Sequence, residues 1–215
     1  TMGEGNDSFF HEYMEIPLKA DENGVNLLVL QCKNHILKPL HEKYGIDISD
    51  ASIRKAVEEH NEVCRIIREI GDMRKERKPR ITGYEFHVLT LATYVAPKYL
   101  LIDKLRETLE ELKTRKPDDT EYRARVAVVG SEVDDIGFIK VIEDTGAYVC
   151  ADRFCFGSLP GRDVIELNDE EDALTQLCRS YVYRGQCPRV MNMEKVYGRK
   201  AYVNDIAKEY GADGI

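Results

Sequence analysis

Apolar positions along this chain follow two periods, and the change from one to the other near residue 120 divides it. Before that point the spacing is helical. Ile53, Val57, Val63, Ile66, Ile67 and Ile70 recur as a single stripe over 53–70, with Ser49 or Asp50 placed to cap its start and Gly71 to close it. A longer helix is predicted over 22–44, with Leu27, Leu30, Ile36 and Leu37 available for burial and Gly45 at its end. Thr82 or Gly83 opens a third helix through Leu89 and Leu91, and Pro97 starts a fourth that reaches Leu112. Residues 13–18 form a short apolar stretch holding Pro17, read as a last strand or exit segment of a preceding unit. Residues 113–121 are polar, contain Pro117 and read as a linker.

After the linker the pattern becomes strand, helix, strand. Residues 126–129 are an apolar, largely β-branched run ending at Gly130, as expected of a parallel strand covered on both faces. Ser131, Asp134 and Asp135 can cap the helix that follows, along which Ile136, Ile139 and Ile142 share a face until Gly146 stops it. Residues 147–151 supply the second strand. A βαβ unit of this kind delivers Ser131 and residues 152–162 together to the carboxyl edge of the sheet, where α/β proteins usually bind ligands. Further on, 170–183 reads as a helix with Leu174, Leu177 and Tyr181 on one side, 184–188 as a loop, 193–210 as a helix and 212–215 as the start of another strand.

Composition narrows the function classes. With 215 residues, 43% of them hydrophobic, the chain can bury a core in one domain or two small ones. Its formal net charge of -8 argues against a general nucleic-acid binder, which needs clustered positive charge. The basic cluster Arg74, Lys75, Arg77, Lys78 and Arg80 reads as a solvated helix end, the other use being a contact with an anionic ligand or partner. No apolar run approaches the ~20 residues that span a bilayer, and no signal peptide is present, so a cytoplasmic protein with reduced thiols is expected.

Of the six cysteines, Cys32 and Cys64 lie in helical patterns as small core residues, and Cys150 lies in a strand. Cys155 differs, because it sits on the loop at the ligand-binding edge. A four-cysteine set of Cys150, Cys155, Cys178 and Cys187 lacks the Cys-x-x-Cys knuckles of structural zinc. The five histidines show no metal-ligand spacing, although Tyr84 and His87 stand one helical turn apart and could face a cleft. Ser131 can either cap its helix or polarise a ligand carbonyl; Asp134 and Asp135 read as first-turn carboxylates, and Asp152 as a brace for its own loop or a ligand contact. A nucleotide-binding module is the noncatalytic alternative, but the turn at Gly130 lacks the three-glycine pattern that admits a pyrophosphate.

Five short motifs in order, GSEVDD, IEDTGA, ADRFCFGS, RGQCP and EYGADGI, resemble the 2-hydroxyacyl-CoA dehydratase family, which includes the benzoyl-CoA reductase type subunits. The resemblance is strongest over 125–215. A family signature, acidic-x-x-Cys-x-Gly followed by a basic residue, is met by Asp152, Cys155, Gly157 and Arg162, with Leu159, Pro160 and Gly161 setting the arginine further away. It implies an α/β fold in which a helical region, 21–120, precedes a Rossmann-like or flavodoxin-like parallel lobe, 121–215. Residues 1–20 would be the exit segment of an N-terminal α/β domain not included here, and the lobe would be cut before its last cysteine-bearing segment.

By the same resemblance, the full-length subunit would hold a [4Fe-4S] cluster through three cysteines, none of them in this stretch. It would pair with a second dehydratase subunit and receive one electron from an ATP-dependent iron-sulfur activator. The acyl-CoA substrate would become a ketyl radical anion, lose its hydroxyl and leave as an enoyl-CoA. Ser131, Asp152, Cys155, Ser158 and Arg162 are the substrate-side candidates, no metal ligand is expected among the 215 residues, and this piece alone would be inactive. A benzoyl-CoA reductase-like or double-cluster reductase subunit is the alternative on the same fold.

Overall fold

The computed structural model describes residues 11–130, 132–158, 163–185, 187, 189–190 and 193–215. Ser131 and residues 159–162, with the candidate Arg162, lie outside that set.

The first helical path runs as α1 (Glu22–Cys32), a turn with π-type bonding (Lys33–Leu37) and α2 (Lys38–Tyr44). The sequence predicts one helix over this span; the path is continuous, but the π turn lowers the twist per residue in its middle. Asp21 caps its start by accepting from the Gly24 amide at 2.8 Å, and Gly45, at φ 65°, closes it in the left-handed region. Val25 and Leu28 are the residues it buries, whereas Leu30, expected inside, is 53% exposed. Residues 11–20 form no strand; they lie as irregular chain.

The stripe over 53–70 becomes α3 (Asp50–Asp72), capped by Ser49 Oγ, which accepts from the Ser52 amide at 3.3 Å. Gly71 does not end it. The helix runs through Gly71, where the Phe86 ring lies 3.1 Å from the position a Cβ would take, so the glycine serves close packing. A tight turn, Met73–Lys75, follows. α4 (Gly83–Val95) opens with a full capping box: Thr82 Oγ1 accepts from the Glu85 amide, and Glu85 accepts from the Thr82 amide. α5 (Lys98–Thr114) begins directly after Pro97. Val63, Ile66, Ile67, Ile70, Phe86, Leu105, Leu109 and Leu112 from these three helices share one dry core.

β1 (Ala124–Val129), α6 (Ile136–Asp144) and β2 (Ala147–Arg153) are the predicted βαβ unit, with β1 and β2 parallel and a register irregularity between Val126 and Ala127. Asp135 caps α6, and Gly146 turns out of it at φ 87°. The Glu143 carboxylate at the end of α6 accepts from the amides of Gly83, at 2.8 Å, and Tyr84, at 3.0 Å, at the start of α4, and from Val149 in β2, at 3.2 Å. One negative charge on a positive helix end thereby ties the helical layer to the sheet.

α7 (Ala173–Arg184) packs against α1, and α8 (Met193–Glu209) against the sheet. Asp172 caps α7, so the helix expected from residue 170 starts three residues later. The tail pairs with β1: Asp213 N donates to Arg125 O at 2.7 Å and Ala127 N to Gly214 O at 2.9 Å, a parallel bridge that fits the predicted further strand. Arg125 reaches out of β1 to the carbonyls of Arg74, at 2.7 Å, and Tyr210, at 3.0 Å, joining the end of α3 to the end of α8.

Candidate functional site at the carboxyl edge

The two parallel strands end side by side, with Gly130 N donating to Arg153 O at 3.2 Å. Alternation along β2 then sends consecutive side chains to opposite faces. Asp152 turns into the protein, 5% exposed, and meets Arg74, 1% exposed; Arg74 Nη1 donates to Asp152 Oδ1 at 2.9 Å. The guanidinium lies 3.7 Å from the centroid of the Phe86 ring. Arg74 is therefore no solvated helix-end charge, as its place in a basic run suggests, but half of a buried ion pair.

The same carboxylate fixes the loop behind it. Ser158 N donates to Asp152 Oδ2 at 2.7 Å, and Ser158 Oγ to Asp152 O at 2.7 Å. Gly157 passes so close that a Cβ there would collide with Asp152 Oδ2. Phe154 is buried with its ring edge-on to His87, centroids 5.6 Å apart, and Phe156 meets Tyr94 in the same way. His87 backs the loop from inside α4, 3% exposed and bonded to the Val133 backbone, with Nε2 unpartnered among the described residues. Burial holds it below the ordinary histidine range, against an opposing pull from Asp152, so the ring is neutral at neutral pH.

Held this way, Cys155 and Arg153 face a cavity of about 1020 Å³ between the sheet edge and the α1–α7 pair. Val129, Gly130 and Glu132 line it after β1; Cys32 and Ile36 from the first helical path, and Tyr181 from α7, form the far wall. Most of the lining is apolar, with Arg153, Arg189 and Arg199 as its positive groups. Burial, then the neighbouring Cys187 and Glu132, push the Cys155 thiol up, so it is protonated at neutral pH and acts as a wall group more than a nucleophile.

The sequence-derived candidates thus separate. Cys155 lines the large cavity, whereas Asp152 and Ser158 line a smaller space of about 240 Å³ on the other side of the loop, beside Arg74 and Tyr210. Tyr84 and His87 are not cavity residues. Arg153, Arg199 and Tyr181 are; Arg153 lies in the 152–162 segment expected at this edge, whereas no local signal marks Arg199 or Tyr181 as cavity residues.

The cysteines do not assemble a metal site. Cys150 is fully buried against the sheet, donating to Val126 O at 3.4 Å, while Cys178, packed in the α1–α7 cluster, lines the cavity together with Cys32, Cys155 and Cys187. Among the described residues no three His, Cys, Asp or Glu side chains are placed to hold a metal ion, so they do not fit an iron-sulfur cluster held by three cysteines.

The family model of the 2-hydroxyglutaryl-CoA dehydratase D-component matches residues 5–215, a span that includes the βαβ edge and its loop. The chain belongs to that family. A search of curated proteins finds no match. The D-component name implies a partner component of the dehydratase system. Among its described residues no helix is long and apolar enough to cross a membrane.

Proposed function

We propose that this D-component chain supplies part of the wall of an acyl-CoA site in an enzyme that removes water from a 2-hydroxyacyl-CoA. The observation that carries the reading is the cavity at the carboxyl edge of β1 and β2, which is largely apolar and carries Arg153, Arg189 and Arg199. A thioester with a short acyl chain needs apolar surface around the carbon skeleton, and the CoA phosphates need cations. In this reading the protonated Cys155 thiol packs against the acyl part, the arginines meet anionic groups, and the Arg74–Asp152 pair keeps the loop from collapsing into the space. The side chains bind, orient and exclude water.

The electron chemistry belongs to the wider assembly. We place the chain in a cytoplasmic system with a second subunit and an ATP-dependent iron-sulfur activator. There the substrate thioester passes through a ketyl radical anion to the enoyl-CoA, and the [4Fe-4S] cluster is held by residues other than those described. Ser131 and Arg162 remain proposed substrate contacts. The test is equilibrium binding of a 2-hydroxyacyl-CoA against free CoA and the free hydroxy acid, with maleimide labelling of Cys155 as the second readout. Preferential binding of the thioester together with protection of Cys155 is expected; equal labelling of Cys155 with and without saturating thioester overturns the placement.

A further inference from the structure

Cys32 and Cys178 come from sequence positions far apart, yet both line the cavity and both belong to the packed cluster between α1 and α7. They differ in access. Cys178 is 2% exposed, whereas Cys32 is only partly covered and stands at the last residue of α1. The π turn begins at the next residue, Lys33, and helps carry Leu28, Cys32 and Ile36 to one cavity wall, because its lower twist offsets the drift an α-helix accumulates over eight residues. Single π turns inside helices occur frequently at functional sites.

We propose that Cys32 and Cys178 form a dithiol that a low-molecular-weight disulfide oxidises to a disulfide bond across the α1–α7 contact. Cys32 is the attacking sulfur because it can be reached from the cavity. Its thiolate attacks one sulfur of the small disulfide; a Cys32 mixed disulfide forms and one small thiolate leaves. Cys178 then gives up its proton, attacks the Cys32 sulfur and expels the second small thiolate. Two protein thiols are oxidised and one disulfide is reduced to two thiols, with no other co-reactant.

The electrostatics fit these roles. A hydrogen bond from the Cys178 thiol holds Cys32 below the ordinary thiol range, while the same contact and burial push Cys178 up. Closing the bond brings the sulfurs to about 2.05 Å. The product would pin α1 to α7 and remove both thiols from the cavity wall, coupling the cavity's shape to thiol redox state.

The experiment is incubation of the purified protein with oxidised glutathione, a maleimide quench in denaturant so that buried Cys178 is also reached, proteolysis without reduction and mass spectrometry. Expected are a peptide joining Cys32 to Cys178, two hydrogens lighter than its parts, near-complete loss of maleimide at both, and arrest of Cys178→Ser at a glutathione adduct on Cys32. Cys32 and Cys178 both maleimide-labelled after oxidation, or a joined peptide involving other cysteines instead, overturns the proposal. If the serine variant folds poorly, phenylarsine oxide on the unaltered chain decides: one arsenic bridging the two peptides supports the dithiol, and its absence refutes it.

Discussion

The two sides of the carboxyl end of β2 border different kinds of interior. On one side lies the α3–α5 core, where Ile66, Ile67, Ile70, Phe86 and Leu112 leave almost nothing exposed. On the other lies the cavity, walled by thiols, arginines and tyrosine, and open enough to admit a ligand. Asp152 and Arg153 are neighbours in the chain, both nearly buried, yet one serves each side. Stability and chemistry are thus assigned to opposite sides of one strand end, and the Asp152 brace, from the packed side, holds the loop whose Cys155 faces the cavity.

The sharpest break in that division is Arg74→Ala, which leaves the Asp152 carboxylate buried without its cation. A loss of about 3–5 kcal/mol in urea unfolding is expected, together with slackening of the Cys155 loop; a loss below about 1 kcal/mol would mean water or another group replaces the guanidinium. Ile67→Ala should cost about 3 kcal/mol through the cavity it leaves, while thioester affinity stays unchanged, because Ile67 does not line the large cavity. Glu143→Gln weakens the charge-assisted bonds at the start of α4 and should cost about 2 kcal/mol by the same urea measurement.

Arg199→Ala tests the cavity alone. About tenfold weaker thioester binding in calorimetry, or about 1.4 kcal/mol, is expected with unfolding midpoint intact. The smallest effect is that of pH through His87. Its folded pKa lies below its unfolded value of about 6.5, so the unfolded chain binds the extra proton and stability falls as pH drops below that value. Stability measured against pH should flatten over that range in His87→Phe, and an unchanged slope would assign the dependence elsewhere.

Much of the fold was legible because its signals are local. The stripe Val57, Val63, Ile66, Ile67 and Ile70, the cap at Ser49, the helix start at Thr82, and the turn at Gly146 each act within a few residues and agree with the tertiary packing. The site was legible only in its loop. Arg74 sits 78 residues from Asp152, and its basic neighbours disguise it as surface charge. Cys178 lies far along the chain from Cys32, and nothing near either residue announces the other. Leu30 fails for another reason: α1 alone is weakly patterned, and which side it buries is decided by α7.

The π turn at Lys33–Leu37 also has a meaning in alignment space. Its hydrogen-bonded loop holds one residue more than an α-helical turn, so it is structurally a single-residue insertion that the helix has absorbed. Deleting one residue there should restore a regular helix and leave everything to Tyr44 on nearly the same face relative to α1, because the wider turn spends its extra residue without adding rotation. Sequences that differ from this one by a one-residue gap in 33–37 would therefore share every neighbouring element and present the same face of α2.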